Sequence, residues 1–398
     1  MFDEKSVLVG MSGGIDSTAV CCMLLEQGYR VEGLTFVTSD AGFKAAESAA
    51  ALAERLGIRH HVADARERFK ELVIMPFINS YLSGFTPNPC VNCNPAVKFR
   101  LLEEWADRLE CKHIATGHYV KTESGKLKAE SGKLETESGK RRTENGERET
   151  ESEKLETESG EAAERRYYIV AGEDCRKDQS YFLWRLTQQQ LSRVIFPLGG
   201  MEKPQVVEYL KERGYECVAS GGESMEVCFI PGDYRDFLKE NVPGICERFG
   251  GGSFVDPQGR VLGRHAGFPF YTVGQRKGLG VALGYPAYVL KINAEKNTVM
   301  LGTEEQLQAR HLLIDEPSWV GDVPQELTVK LRYRSRAVAC DAPRRVDDGR
   351  WLVTLREPVQ AITPGQSAVF YCGNVVVGGA FIAGQRGINQ WIHGNGQY

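Results

Sequence analysis

The glycine-rich turn at the start of the chain most narrows what this sequence can fold into. Lys5 to Val9 reads as a short buried strand, and Ala19 to Leu25 as a helix. Between them lies Gly10-Met11-Ser12-Gly13-Gly14, running on into Ile15-Asp16-Ser17-Thr18. A strand feeding a helix through glycines leaves backbone N–H groups open to an anion, and the helix dipole adds to the attraction. Ser12, Ser17 and Thr18 can add hydroxyl donors. The turn lacks the Gly-Lys-Ser/Thr ending of a Walker loop and the spacing of a dinucleotide fingerprint.

The segments that follow keep an α/β rhythm. Strands are predicted at Arg30 to Val37, His60 to Ala63 and His113 to Thr116, and helices at Lys44 to Leu56 and Lys98 to Leu109. Such alternation predicts a doubly wound parallel sheet with its site at the strand C-terminal ends. Phe36 and Gly117 fall at such ends, as candidates for adenine packing and close backbone approach.

One segment breaks the rhythm. Lys121 to Arg166 has no aromatic residue and repeats every seven positions, with Thr122, Ala129, Thr136, Thr143, Thr150 and Thr157 each followed by Glu. Its 46 residues hold 11 basic and 13 acidic side chains. A coiled coil needs two apolar positions per heptad, and these units offer at most one Leu. The composition predicts a solvated insert without a catalytic role.

At 398 residues, with 42% hydrophobic and 26% charged residues, the chain can bury a core without disulfides or metal. No run of about 18 apolar residues suggests a membrane span. The N-terminus runs straight into a motif, so no secretory signal is expected. Eleven cysteines in that setting suggest reduced thiols and a cytoplasmic location. The net charge of −4 means that any nucleic-acid contact must come from a local patch.

Thr86-Pro87-Asn88-Pro89-Cys90-Val91-Asn92-Cys93-Asn94 reads as an irregular, exposed loop carrying Cys-x-x-Cys, and Cys228 lies in Glu226-Val227-Cys228-Phe229-Ile230-Pro231. A lone Cys-x-x-Cys fits zinc, a redox pair or a catalytic thiol. No second pair exists to complete a four-ligand zinc site. Cys21, Cys22, Cys111, Cys340 and Cys372 sit in apolar contexts and are expected in the core. Cys175, Cys217 and Cys246 carry no signal.

These motifs occur in one order with Ala115-Thr116-Gly117-His118-Tyr119, Lys177-Asp178-Gln179-Ser180-Tyr181-Phe182-Leu183, Gly263-Arg264-His265-Ala266-Gly267, Tyr271 to Gly280, Arg332-Tyr333-Arg334 and Thr363-Pro364-Gly365-Gln366-Ser367. Together they resemble the tRNA-specific 2-thiouridylase family of the ATP pyrophosphatase (PP-loop) superfamily, over the whole chain except the repeat. The sequence departs from that family at Cys90, where many members have Asp, and at Phe36, where Met is usual. The region after Phe36 is compressed, and the insert replaces a short connection.

The resemblance implies an α/β fold: a PP-loop domain (1–200), a small mixed tRNA-binding domain (201–282) and a C-terminal β-barrel (283–398). It implies adenylation of the uracil oxygen at position 2 by ATP, then sulfur attack on carbon 2 of the wobble uridine. Gly10, Met11, Ser12, Gly13, Gly14, Ile15, Asp16 and Ser17 would hold the nucleotide phosphates with magnesium, and Phe36 and Gly117 would sit beside the adenine. Cys93 is implied as the nucleophile and Cys228 as the persulfide carrier, with an alternate disulfide after sulfur release. Cys90, Cys93 and Cys228 could instead ligate an iron–sulfur cluster. Asn88, Pro89, Cys90, His118, Lys177, Asp178, Gln179, Arg332, Tyr333 and Gln366 are expected at the tRNA, whose anticodon base must leave its stack. The implied partners are the anticodon stem-loop and either a sulfur-relay protein or free sulfide, with no membrane. As a lone residue, His118 would instead be read as a satisfied core histidine.

Downstream, Pro204 to Gly214 is predicted helical, and the region from about Ser253 is rich in strands and turns. Asp256-Pro257-Gln258-Gly259 and Asp347-Asp348-Gly349 are hairpin signals. Alternation at Lys330, Arg332, Arg334 and Arg336 predicts four cations on one strand face, a surface suited to tracking phosphates. Another PP-loop enzyme acting on a small molecule would explain the glycine turn but not Cys93 and Cys228. A zinc-stabilised RNA-binding protein would leave the turn unexplained.

Overall fold

The computed structural model describes residues 3–127, 134–136, 166–215, 218, 227–346 and 349–384. Its first sheet has the order β3-β2-β1-β4-β8, with every pair parallel. The strands are β1 (Asp3–Gly10), β2 (Arg30–Val37), β3 (Arg59–Asp64), β4 (Cys111–Ala115) and β8 (Val194–Ile195). The centre of β1 is Val7-Leu8-Val9, fully buried, as a strand covered on both faces requires. Helix α1 (Ile15–Glu26) is apolar nearly all round and buries Cys21 and Cys22, while α2 (Gly42–Leu56) buries the stripe Ala46, Ala49 and Ala53. The chain passes from β3 to β4 on the opposite side of β1. The crevice between the ends of β1 and β4 is therefore the topological switch point, where ligands bind in such sheets.

The second sheet, β10-β9-β12-β11, contains Gly252–Val255 (β9), Val261–His265 (β10), Tyr288–Asn293 (β11) and Thr298–Gly302 (β12). The hairpin expected at 256–259 joins β9 to β10. The second expected hairpin is only partly described: 347–348 lie outside the described residues, and Arg344–Arg345 pairs with Trp351–Gln360. The pair β11 and β12 lies beyond the expected boundary at 282, yet β12 bonds to β9, so these strands complete the middle sheet. The third sheet is built chiefly from strands between Gln308 and Phe381, joined by strands from residues 120–171, and carries the C-terminal core.

Two sequence expectations are corrected. The repeat does not begin as a loop: β5 (Val120–Leu127) pairs with β7 (Arg166–Ala171), and β7 pairs with Val375–Phe381. The first residues of the expected insert thus extend the C-terminal sheet, and Leu134–Thr136 (β6) adds to its edge. The remaining repeat units lie outside the described residues. The four cations, in turn, do not share a strand face. The strand Leu327–Lys330 ends at Lys330, and Ser335 donates back to Arg332 O (3.1 Å from N, 2.8 Å from Oγ) to close a turn. Lys330 points inward to Asp178 (3.4 Å), Arg332 donates to Gln360 O, and Arg336 pairs with Glu357. A short alternating run reads alike whether it continues a strand or turns; local hydroxyl bonding decided it.

Candidate active site

The glycine turn closes on itself at the C-terminal end of β1. Ser17 Oγ accepts from Ser12 N (3.2 Å), lies 3.3 Å from Ser12 Oγ, and donates to Gly14 O (3.1 Å). Thr18 Oγ1 also donates to Gly14 O (2.9 Å). These bonds fix the turn at Gly13, whose φ of 74° is costly for other residues. Met11 is buried beneath the turn, its carbonyl accepting from Thr35 Oγ1 (2.8 Å). Ser12 and Gly14 stay exposed at the mouth, and Ile15 anchors the first turn of α1 in the core.

Asp16 faces the switch-point crevice. Its Oδ1 accepts from Tyr119 Oη (2.6 Å) and from Lys203 Nζ (2.8 Å). A Cβ at Gly117 would lie 2.8 Å from Asp16 Cβ, so the approach of Gly117 to the loop excludes any side chain. Phe36, at the end of β2, lies 3.6 Å from where a Cβ on Gly10 would be. It also packs against the buried cluster containing Cys93. One half-buried ring thus borders both the glycine turn and the apolar cluster that holds Cys93.

The Cys-x-x-Cys segment is not the irregular loop expected. Pro89–Cys93 is a short helix with proline in its first turn, where a missing N–H costs nothing. The chain continues through a π-helical segment, Asn94–Phe99, into Arg100–Arg108. Pro95 explains the widening: it cannot donate to Val91 O, and its ring crowds that carbonyl. Cys93 is 4% exposed, packed with Phe69, Val73, Val97 and Leu101. Burial drives its thiol up to about 11, against the lowering effect of Lys98. Cys90 is half-buried, and burial raises its thiol too.

Cys228 sits exposed in a turn closed by Ile230 N to Val227 O (3.0 Å). The next residue, Phe229, fixes this turn against Phe69, Phe77 and Phe237 at 5.3–5.5 Å, edge to face. Cys90, Cys93 and Cys228 are near enough to influence one another electrostatically. Among the described residues, however, no three His, Cys, Asp or Glu side chains converge as a metal-holding group. Asp16 is a lone carboxylate beside the turn, which suits magnesium held chiefly by phosphates.

Several residues expected at the tRNA hold the protein together. Asp178 is buried; Oδ1 accepts from Gly172 N and Ser180 N, and Oδ2 from Ser180 Oγ and Lys330 Nζ. Gln179 Oε1 accepts from Tyr119 N (3.0 Å). Gln366 Nε2 donates to the carbonyls of Thr86 and Pro87 and so clamps the loop before Asn88 and the buried Pro89. Tyr333 packs on Phe182 (4.4 Å). Arg332 is exposed, and Asn88 and Lys177 are half-buried. His118 is half-buried, its Nδ1 2.8 Å from Thr116 Oγ1; burial first, then Lys98, pushes it down to about 3, so the ring is neutral at physiological pH. Sequence reasoning missed Lys203, Tyr119 as a partner of Asp16, and Lys98. Tyr119 lay within a recognised motif, and Pro95 could have signalled the π-turn; Lys203 had no local signal.

Comparison with known proteins agrees with this architecture along its length. Residues 5–232 match the family model described as tRNA methyl transferase HUP domain. Residues 235–303 match the tRNA methyl transferase PRC-barrel domain, and 309–382 the aminomethyltransferase beta-barrel domain. The chain is 49% identical to tRNA-specific 2-thiouridylase MnmA 3 of Phocaeicola vulgatus, over 97% of this chain and 96% of that protein. It is 50% identical to the protein of that name from Bacteroides fragilis, over 98% of each. It is 41% identical to tRNA-specific 2-thiouridylase MnmA of Heliobacterium modesticaldum, over 95% of this chain and 92% of that protein. With a glycine turn at the switch point of a parallel sheet, and relatives this similar from end to end, the chain belongs to the tRNA-specific 2-thiouridylase family.

Proposed function

We propose that the chain catalyses ATP-dependent 2-thiolation of the wobble uridine of tRNA, in the cytoplasm, with the phosphate turn and the thiols acting on one flipped base. The observation that carries this reading is Phe36, which borders the glycine turn on one side and the Cys93 cluster on the other. A small-molecule ligase would have no use for that adjacency.

In the first step the uracil oxygen attacks the α-phosphorus of ATP and pyrophosphate leaves. The turn from Gly10 to Ser17 presents N–H and hydroxyl donors to the departing charge, and a magnesium ion beside Asp16 would neutralise more of it. In the second step the terminal sulfur of a Cys228 persulfide attacks carbon 2, and AMP leaves with the oxygen. The Cys93 thiolate then attacks Cys228 Sγ. The sulfur–sulfur bond to the base breaks, 2-thiouridine is released, and a Cys93–Cys228 disulfide remains for a thiol reductant. The exposed Cys228 suits reloading by either donor: once the disulfide is reduced, a relay protein's persulfide hands its outer sulfur to the Cys228 thiolate and leaves as a thiol, whereas free sulfide attacks Cys228 Sγ in the disulfide directly, displacing the Cys93 thiolate and leaving the Cys228 persulfide. Asn88, Pro89 and Cys90 line the base pocket, with Arg332 and Lys177 towards the RNA backbone; Asp178, Gln179, Tyr333 and Gln366 shape that surface from beneath. His118 serves as a neutral wall beside the thiols.

The reading is tested by measuring pyrophosphate release and 2-thiouridine in one reaction, with and without tRNA. Both products are expected only with tRNA and a sulfur source. Pyrophosphate release driven by a small molecule in place of tRNA would overturn the reading.

A further inference from the structure

Lys203 reaches the glycine turn from a distant part of the chain. It opens the helix Lys203–Lys211, whose start is fixed by a capping box between Glu202 and Gln205. Asp174 Oδ2 accepts from Lys203 N (3.0 Å) and holds the same end. Val206 and Leu210 of this helix share a buried cluster with Ala19, Val20 and Met23 of α1. The two helices therefore lie side by side, and the first residue of one meets the first turn of the other. Lys203 Nζ donates to Asp16 Oδ1 (2.8 Å), the oxygen that also accepts from Tyr119 Oη (2.6 Å). The ammonium lies 5.9 Å from the centre of the Tyr119 ring. Asp16 Oδ2 accepts no hydrogen bond among the described residues.

This pairing answers a charge problem at the mouth of the turn. Residues 10–18 include no lysine or arginine, and their one ionisable side chain is Asp16. A carboxylate in the first turn of α1 suits the helix dipole. It also stands where the turn offers its N–H groups, and there it opposes any polyphosphate that approaches. The Asp16 side chain is 35% exposed, so water screens it only in part, whereas the Lys203 side chain is withdrawn to 14%. A cation held this close to the carboxylate leaves the mouth of the turn without net negative charge.

We propose that Lys203 is a positioning residue of the nucleotide site, its ammonium cancelling the Asp16 carboxylate so that the glycine turn can receive the polyphosphate of ATP. This assignment rests on the reading of the turn as the ATP site and adds to it the cation that the turn itself lacks. Lys203 acts through Asp16 and leaves Oδ2 turned to whatever cation accompanies the nucleotide.

The test is calorimetric titration of the full-length protein with ATP in EDTA, where no metal masks Asp16. Lys203→Met is expected to raise the dissociation constant about tenfold, the scale for one uncompensated unit charge a few ångströms from an anion near a protein surface. Lys203→Arg keeps the charge and should bind close to wild type. The decisive variant combines Lys203→Met with Asp16→Asn: with the carboxylate gone, affinity should return close to the wild-type value. A merely structural role for Lys203 would not be rescued by a second substitution that removes its partner. Lys203→Gln gives the same comparisons if Lys203→Met folds poorly by thermal unfolding. Wild-type affinity in a folded neutral single variant would overturn the assignment. So would a double variant that binds no better than the single one, because the ammonium would then meet the phosphates directly. Wild-type protein with no measurable affinity for ATP would instead refute the nucleotide reading on which the assignment rests.

Discussion

At the scale of single residues, the phosphate turn and the thiols make separate demands. Asp16 ties the turn to Tyr119 and Lys203, and Ser12 is exposed at its mouth. Replacing either with Ala should cut pyrophosphate release by about ten- to a hundredfold, the range for losing preorganised polar contacts to a phosphoryl centre. Binding of tRNA, measured by filter retention, should change little. Gly117→Ala should do comparable harm, because its methyl meets Asp16 Cβ at 2.8 Å and the backbone there at 3.2 Å. Cys93→Ser and Cys228→Ser should each abolish thiolation in folded protein, since serine is a far weaker nucleophile. Cys90→Ser should retain substantial activity, because in the persulfide relay Cys90 only lines the base pocket. Loss of iron absorbance together with activity in Cys90→Ser would favour the cluster instead.

At the scale of elements, β1 to β4 and the helices between them were legible because hydrophobic runs, glycine stops and the turn motif all agreed, whereas β8, two residues long, carried no such run. Pro89–Cys93 was not, since two prolines and three asparagines in nine residues signal a loop unless one proline sits at a helix start. The π-turn after it follows from Pro95 only once the helix is known to begin before that residue. The repeat was misjudged at its edge. Lys121 to Leu127 carries polar repeat composition, but pairing with β7 overrides propensity. Deleting 128–165 with a short linker should leave thiolation near wild type, because shortening a loop costs little entropy. A deletion that begins at 121 should lower the melting temperature, because it removes the strand between β7 and the sheet edge. Thermal unfolding of the two deletions side by side checks this.

At the scale of the whole molecule, the C-terminal sheet is tied to the first domain near the active centre. Thr86 N donates to Pro364 O (2.9 Å), and Gln366 holds the same loop. Tyr181 Oη donates to Ser367 O (2.9 Å), and Trp184 Nε1 to Ser367 Oγ (3.2 Å). Gln366, expected to touch RNA, thus joins the C-terminal sheet to the loop before Cys90, while Tyr181 and Trp184 tie the same sheet to the segment after Asp178. Sequence alone could mark them as special but could not separate contact with a ligand from contact between domains. The exposed Arg332 and Arg334 remain as candidates for phosphate contact. Replacing both with Ala should weaken tRNA binding and reduce the slope of log affinity against log salt by about 1–2. No helix among the described residues is long and apolar enough to cross a membrane.

The most direct test of the central claim, that one edge of the first sheet couples ATP cleavage to sulfur transfer, is a stoichiometry. Purified protein, unmodified tRNA, ATP and sulfide are combined, and AMP, pyrophosphate and 2-thiouridine are quantified by mass spectrometry. One AMP and one pyrophosphate per 2-thiouridine are expected, with thiolation lost in both Cys93→Ser and Cys228→Ser. Full thiolation in either serine variant, or thiolation without AMP formation, would contradict the account.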